Sequence, residues 1–101
     1  DLLYGFSHFG RGRFFCLDPK TGEILWVGPP RTGNNVMFLS LPGHILALIN
    51  TGEIRVIKAQ RDSYSQVAAW KVAEGKTWAP PVLLQNGILV KGLDALTLWS
   101  F

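Results

Sequence analysis

Short apolar runs alternate along the chain with tight clusters of turn-forming residues. The runs cover residues 2–8, 13–18, 23–27, 36–41, 44–50, 53–59, 65–73, 82–85, 87–92 and 95–100. They are rich in aliphatic, β-branched and aromatic side chains, and they are shorter than ordinary globular helices. The breakers between them include Gly10-Arg11-Gly12, Thr21-Gly22, Gly28-Pro29-Pro30, Gly33-Asn34-Asn35, Pro42-Gly43, Thr51-Gly52, Pro80-Pro81 and Asn86-Gly87. Glycine supplies a positive φ, proline a fixed one, and Asn a side chain that closes a turn. Gaps as short as Pro42-Gly43 and Thr51-Gly52 leave room only for antiparallel hairpins. Residues 63–74 are the best helix candidate, but no N-cap pattern leads into them, and Val67, Trp70 and Val72 fit a strand equally well. The pattern predicts an all-β chain.

The spacing adds an architecture. The apolar runs at Leu2, Ile45 and Ile88 read LLYGF, ILALI and ILVKG and start 43 residues apart, while Trp26 and Trp70 each close a run and lie 44 apart. A repeat of about 40–50 residues built from four short strands is the pattern of a β-propeller blade. Such a unit cannot bury both of its faces alone and must stack on neighbours. On this register residues 1–33 are the end of one blade, 34–73 a complete blade and 74–101 part of the last. The expected fold is therefore a fragment of a β-propeller, about two and a half four-stranded antiparallel blades. Open strand edges and apolar blade faces call for covering partners, either the remaining blades of a parent propeller or other copies of the chain.

Composition narrows the classes. Hydrophobic residues make up 48% and charged residues 17%, enough apolar surface for a packed core and too little charge for a disordered chain. The net charge is +3, but the ten cations are spread thinly, so no nucleic-acid partner is expected. Cys16 is the one cysteine, which excludes an intrachain disulfide and a cysteine-built zinc site. No apolar run approaches the roughly 18 residues of a membrane helix, so no membrane span is expected. The first residue is Asp1, and a processed or excised segment is expected; the sequence is silent on export.

One segment carries a motif. Cys16-Leu17-Asp18-Pro19-Lys20-Thr21-Gly22-Glu23-Ile24-Leu25-Trp26 resembles the repeat of the quinoprotein-like (PQQ-like repeat) propellers, whose pattern is a small residue, any residue, Asp, two residues, Thr-Gly, three residues, Trp. The match covers Asp18, Thr21, Gly22 and Trp26, with Cys16 where the family usually has Ala. The resemblance implies that Trp26, and one period later Trp70, dock a blade against its neighbour. It also implies a bacterial, periplasmic or cell-envelope setting and a place among the C-terminal blades of a longer protein. Without the family, Asp18 can accept turn amides, Gly22 can take the left-handed conformation, and Trp26 offers a large flat surface. The second unit departs from the motif: residues 58–69 contain no Thr-Gly and one extra residue.

The family also implies an enzyme reading, a dehydrogenase using calcium-bound pyrroloquinoline quinone. Calcium takes six to eight oxygen ligands, and the seven acidic residues lie mostly at turns without clustering. His8 and His44 sit near hairpins without supporting ligands, no GxSxG elbow is present, and Gly10-Arg11-Gly12-Arg13 reads as a hairpin tip kept soluble by charge. Trp78, beside Pro80-Pro81, is a candidate binding surface. The expected function is a non-catalytic propeller segment serving as a binding scaffold, possessing no cofactor or metal of its own and open to protein partners. The alternative is the last blades of a quinone-dependent alcohol or sugar dehydrogenase whose catalytic groups lie outside this chain.

Overall fold

The computed structural model describes residues 2–73, 81–85, 87–91 and 96–100. The protein is all-β, with ten strands among the described residues: β1 (Leu3–Ser7), β2 (Arg13–Asp18), β3 (Glu23–Val27), β4 (Val36–Leu41), β5 (His44–Ile49), β6 (Glu53–Lys58), β7 (Gln66–Lys71), β8 (Val82–Leu84), β9 (Gly87–Lys91) and β10 (Leu96–Ser100). Every strand expected from the sequence is present, with ends within two residues of the expected ones. One 3₁₀ turn, Phe9–Arg11, lies in the β1–β2 connection. Among the described residues no helix is long and apolar enough to cross a membrane.

The strands form three antiparallel meanders, ordered β1-β2-β3, β4-β5-β6-β7 and β10-β9-β8. Turn chemistry explains the tight links. Leu41 pairs directly with His44, so Pro42-Gly43 is a two-residue hairpin turn with Gly43 at φ 69°. Successive side chains point to opposite faces of a sheet, so each sheet has an odd and an even face. In the middle sheet both are apolar, and residues 45–49 of β5 are all buried. A continuous apolar run in place of an alternating one is what a strand covered on both sides requires.

The covers are the other two sheets. Ala47, Ile49 and Ile57 of the middle sheet pack with Phe14, Cys16 and Trp26 of the first. Leu46, Leu48 and Ile54, on the opposite face, pack with Ile88 and Val90 of the third, and Val72 joins them. The core is thus two layers, one on either side of the middle sheet. The β2–β3 and β6–β7 strand pairs share an irregularity. A bulge lies between Cys16 and Leu17 against β3, and another between Val56 and Ile57 against β7. A bulge sharpens twist and re-aims the side chains beyond it.

The link from first to middle sheet is held at one end by close backbone contacts. Thr32 N donates to Gly12 O at 3.0 Å, and the buried Asn50 side chain accepts from the amides of Asn34 and Asn35 at 2.8 and 3.0 Å. Gly12, at φ 104°, faces the Gly33 carbonyl so closely that a Cβ there would collide with it. Ile54 is fully buried between the middle and third sheets. Ile54→Ala should therefore lower unfolding stability by about 2–5 kcal/mol in urea denaturation, the range for truncating a buried aliphatic side chain.

Candidate inter-sheet docking site

The Asp18 hairpin is built by its own residues. Asp18 Oδ1 accepts the Lys20 amide at 2.9 Å, Gly22 N donates to Asp18 O at 2.8 Å, and Thr21 Oγ1 accepts the Glu23 amide at 3.2 Å. Gly22 sits at φ 76°, a left-handed conformation that a side chain would strain. This turn launches β3, and the bulge just beyond the Leu17–Ile24 pair places Trp26 opposite Cys16.

Trp26 then reaches across to the middle sheet. Its indole Nε1 donates to the Gln60 carbonyl oxygen at 2.8 Å, and its ring meets Tyr64 edge-on with centroids 5.6 Å apart. Tyr4 packs on the other side of the indole at 6.1 Å. The Cys16 thiol also points at Gln60 O, at 3.9 Å. Asp18 supplies a further link: its Oδ2 lies 3.4 Å from both terminal nitrogens of Arg61. Two motif residues of one hairpin therefore hold two consecutive residues of the β6–β7 loop. That loop is braced by its own contacts, with Gln60 Nε2 donating to Ser63 O at 3.1 Å and Tyr64 Oη donating to Gln66 Oε1 at 3.0 Å. Arg55 donates to Glu53 at 2.7 Å and to Tyr64 Oη at 3.4 Å. Phe14 stacks on Tyr64 from the first sheet.

The electrostatics follow from these contacts. The Lys20 amide, and after it the Arg61 guanidinium, hold the Asp18 carboxyl below the usual carboxylate range. Burial pushes the Cys16 thiol up, so it stays protonated and behaves as a small apolar group. Burial likewise raises the Tyr4 phenol, with Cys16 beside it adding to the effect. This is the chemistry of a joint between sheets: donors aimed at a fixed carbonyl, inert sulfur and stacked rings.

Trp70 is placed differently. Immediately beyond the bulge the first sheet presents Trp26, whereas the middle sheet presents Ala68, and Trp70 lies two residues further on, opposite Ile54. It is half-buried and packs on the apolar layer facing the third sheet. No hydrogen bond joins its indole to a described residue. Residues 59–65, which lack a Thr-Gly pair, form instead the loop on which Trp26 lands. Trp78 lies outside the described residues. His44 Nδ1 is 3.1 Å from the Pro42 carbonyl in its own turn, and His8 is exposed. Gly10 and Arg11 lie at the β1–β2 hairpin tip, in a 3₁₀ turn, whereas Arg13 opens β2 with its Nε buried. Among the described residues no three His, Cys, Asp or Glu side chains gather as a metal-holding group.

Sequence reasoning did not point to Gln60, Arg61 or Tyr64. The acceptor that matters is a backbone carbonyl, which leaves no mark in the side-chain pattern. Tyr64 had a usable signal, as an aromatic in an otherwise polar loop.

Fold and joint together define an all-β protein of serially stacked antiparallel sheets. No protein-family model matches the chain, and no curated protein matches it significantly.

Two predictions follow the geometry. Trp26→Phe keeps a ring but removes the donor, leaving a half-buried carbonyl short of a partner, and should cost about 1–3 kcal/mol in denaturant unfolding. Trp70→Phe, with no comparable bond to lose, should cost less in the same measurement. Asp18→Asn keeps the turn acceptor but removes the charge facing Arg61. A carboxyl whose folded pKa is depressed stabilises the fold above its unfolded pKa, and that contribution is lost as pH falls through the folded value. Urea midpoints should therefore separate wild type from Asp18→Asn at pH 7, with the gap narrowing as pH drops through the carboxylate range.

Proposed function

We propose that this chain is a segment of a quinoprotein-like β-propeller that serves as a non-catalytic scaffold for binding other proteins. The observation that carries this reading is the hairpin of the Asp18-x-x-Thr21-Gly22-x-x-x-Trp26 motif, whose indole donates to a carbonyl of the next sheet. That is the staple expected between successive blades. Three serial meanders with a similar strand plan among the described residues support it, as does the recurrence of a bulge in the β2–β3 and β6–β7 pairs.

The described residues do not fit a calcium-bound quinone. Asp18 is engaged by the Lys20 amide and Arg61 and Glu53 by Arg55, and among the described residues no three His, Cys, Asp or Glu side chains gather toward one point, whereas calcium takes six to eight oxygens. A scaffold instead needs rigid sheets and variable loops, and binds through loops at one end or through an exposed strand.

The test uses the full reading frame that contains this chain. Particle images of that protein should show a disc of radial blades, and a linear stack of sheets would overturn the propeller assignment. Mixed with calcium, pyrroloquinoline quinone and an artificial electron acceptor, it should leave the dye unreduced on alcohols and sugars. Saturable dye reduction would overturn the non-catalytic reading.

A further inference from the structure

The stack has a direction. Within each internal interface the earlier sheet offers one kind of face, that of Cys16 and Trp26 or its counterpart at Leu46 and Leu48, and the later sheet the opposite kind, that of Ala47 or, 43 residues on, Val90. Phe14, Cys16 and Trp26 of the first sheet meet Ala47, Ile49 and Ile57, and then Leu46, Leu48 and Ile54 meet Ile88 and Val90. Strand alternation leaves each outer sheet with one unused face of the opposite kind.

On the first sheet that face carries Leu3, Phe15, Leu17, Ile24 and Val27, which are linked as cross-strand partners. Ile24 is 62% and Leu3 51% exposed. The tip of the Phe15 ring lies over Gly5, where a Cβ would collide with it. A groove of about 400 Å³ runs across it. Arg13, at its margin, has a buried Nε without a hydrogen-bond partner among the described residues. On the third sheet the unused face carries Val82, Leu89 and Leu98 in one cross-strand row, with Leu84 and Leu96 beside it. Leu96 is 65% and Leu98 57% exposed.

We propose that these two faces bind each other between copies of the chain, the third sheet of one copy docking on the first sheet of the next, head to tail. The pairing continues an interface that the chain already forms twice with the same polarity. Pairing either face with itself would make a two-fold contact of a kind found nowhere inside the chain. Two exposed apolar sheet faces on so small a protein are a strong drive to association. The proposal rests on the stacked-sheet scaffold reading above, in that both faces exist to be covered by further sheets.

Sedimentation equilibrium of the 101-residue chain, from micromolar to near-millimolar concentration, tests it. The wild-type average mass should climb past that of a dimer. Ile24→Lys blocks one face and Leu98→Lys the other, so each variant alone should stay monomeric. An equimolar mixture retains one good face of each kind and should form a heterodimer and stop there. Amide-exchange protection of residues 45–49, read in each variant, shows whether the middle sheet is intact. Where a lysine variant loses that protection, Ile24→Ala and Leu98→Ala take its place, with the same expected pattern. A variant that still dimerises alone overturns the head-to-tail arrangement. A wild-type chain that stays monomeric throughout overturns self-docking, yet leaves the propeller reading standing, since further sheets of a longer chain would then cover both faces.

Discussion

A sheet that is apolar on both faces cannot be stable as a single layer in water. Residues 45–49 impose that condition here, because five consecutive side chains of β5 point alternately up and down and all of them leave solvent. Burying a side chain of this size is worth about 1.5–3 kcal/mol, and it is gained only when a cover exists on its own side. Both covers must therefore be present together. The first and third sheets are that pair of covers, and the position of each is dictated by the middle sheet more than by its own strands.

The two covers are attached by different means. The layer between middle and third sheets is aliphatic, built from Leu46, Leu48, Ile54, Ile88 and Val90. Such contacts are strong in sum but carry little direction. The layer between first and middle sheets is aromatic and contains hydrogen bonds. Phe14, Trp26 and Tyr64 meet at defined angles, and the indole N–H has one acceptor. A donor aimed at a carbonyl tolerates little displacement, because hydrogen bonds weaken steeply as geometry departs from linear. The Trp26–Gln60 contact thus fixes the relative position of two sheets that apolar packing alone would leave freer to slide. The Asp18–Arg61 pair, at 3.4 Å and partly exposed, contributes less to this joint.

The all-β class and the strand positions were legible because both rest on local rules. Alternation, turn residues and two-residue gaps act within a few positions, as at Pro42-Gly43, and tertiary context had little to override. The half of the joint that lies on the first sheet was legible for the same reason: Asp18, Thr21 and Gly22 satisfy one another inside a single hairpin. The other half was not. Gln60 takes part through its backbone, which every residue possesses, and Arg61 through a contact 43 positions away in sequence. Trp70 shows the limit of counting. Its 44-residue separation from Trp26 is nearly the period, but strand pairing is set by the bulge, and from there the tryptophan falls two positions late. In a strand a shift of two preserves the face and changes the neighbour, so Trp70 keeps its burial without the bond.

Cysteine at position 16 fits the same physics. The residue opposite Trp26 has to be small, since the indole must pass it to reach the next sheet, and Cys16 is completely buried there. Its sulfur faces the acceptor that the indole already uses. A hydroxyl at this position would compete for that carbonyl with a stronger donor, and a charged group could not be accommodated without a counter-charge. A protonated thiol is compact, weakly donating and tolerant of burial, and burial keeps it protonated. The position therefore selects for size and for chemical passivity together, which places Cys16 with the packing of the joint and apart from any reactive role.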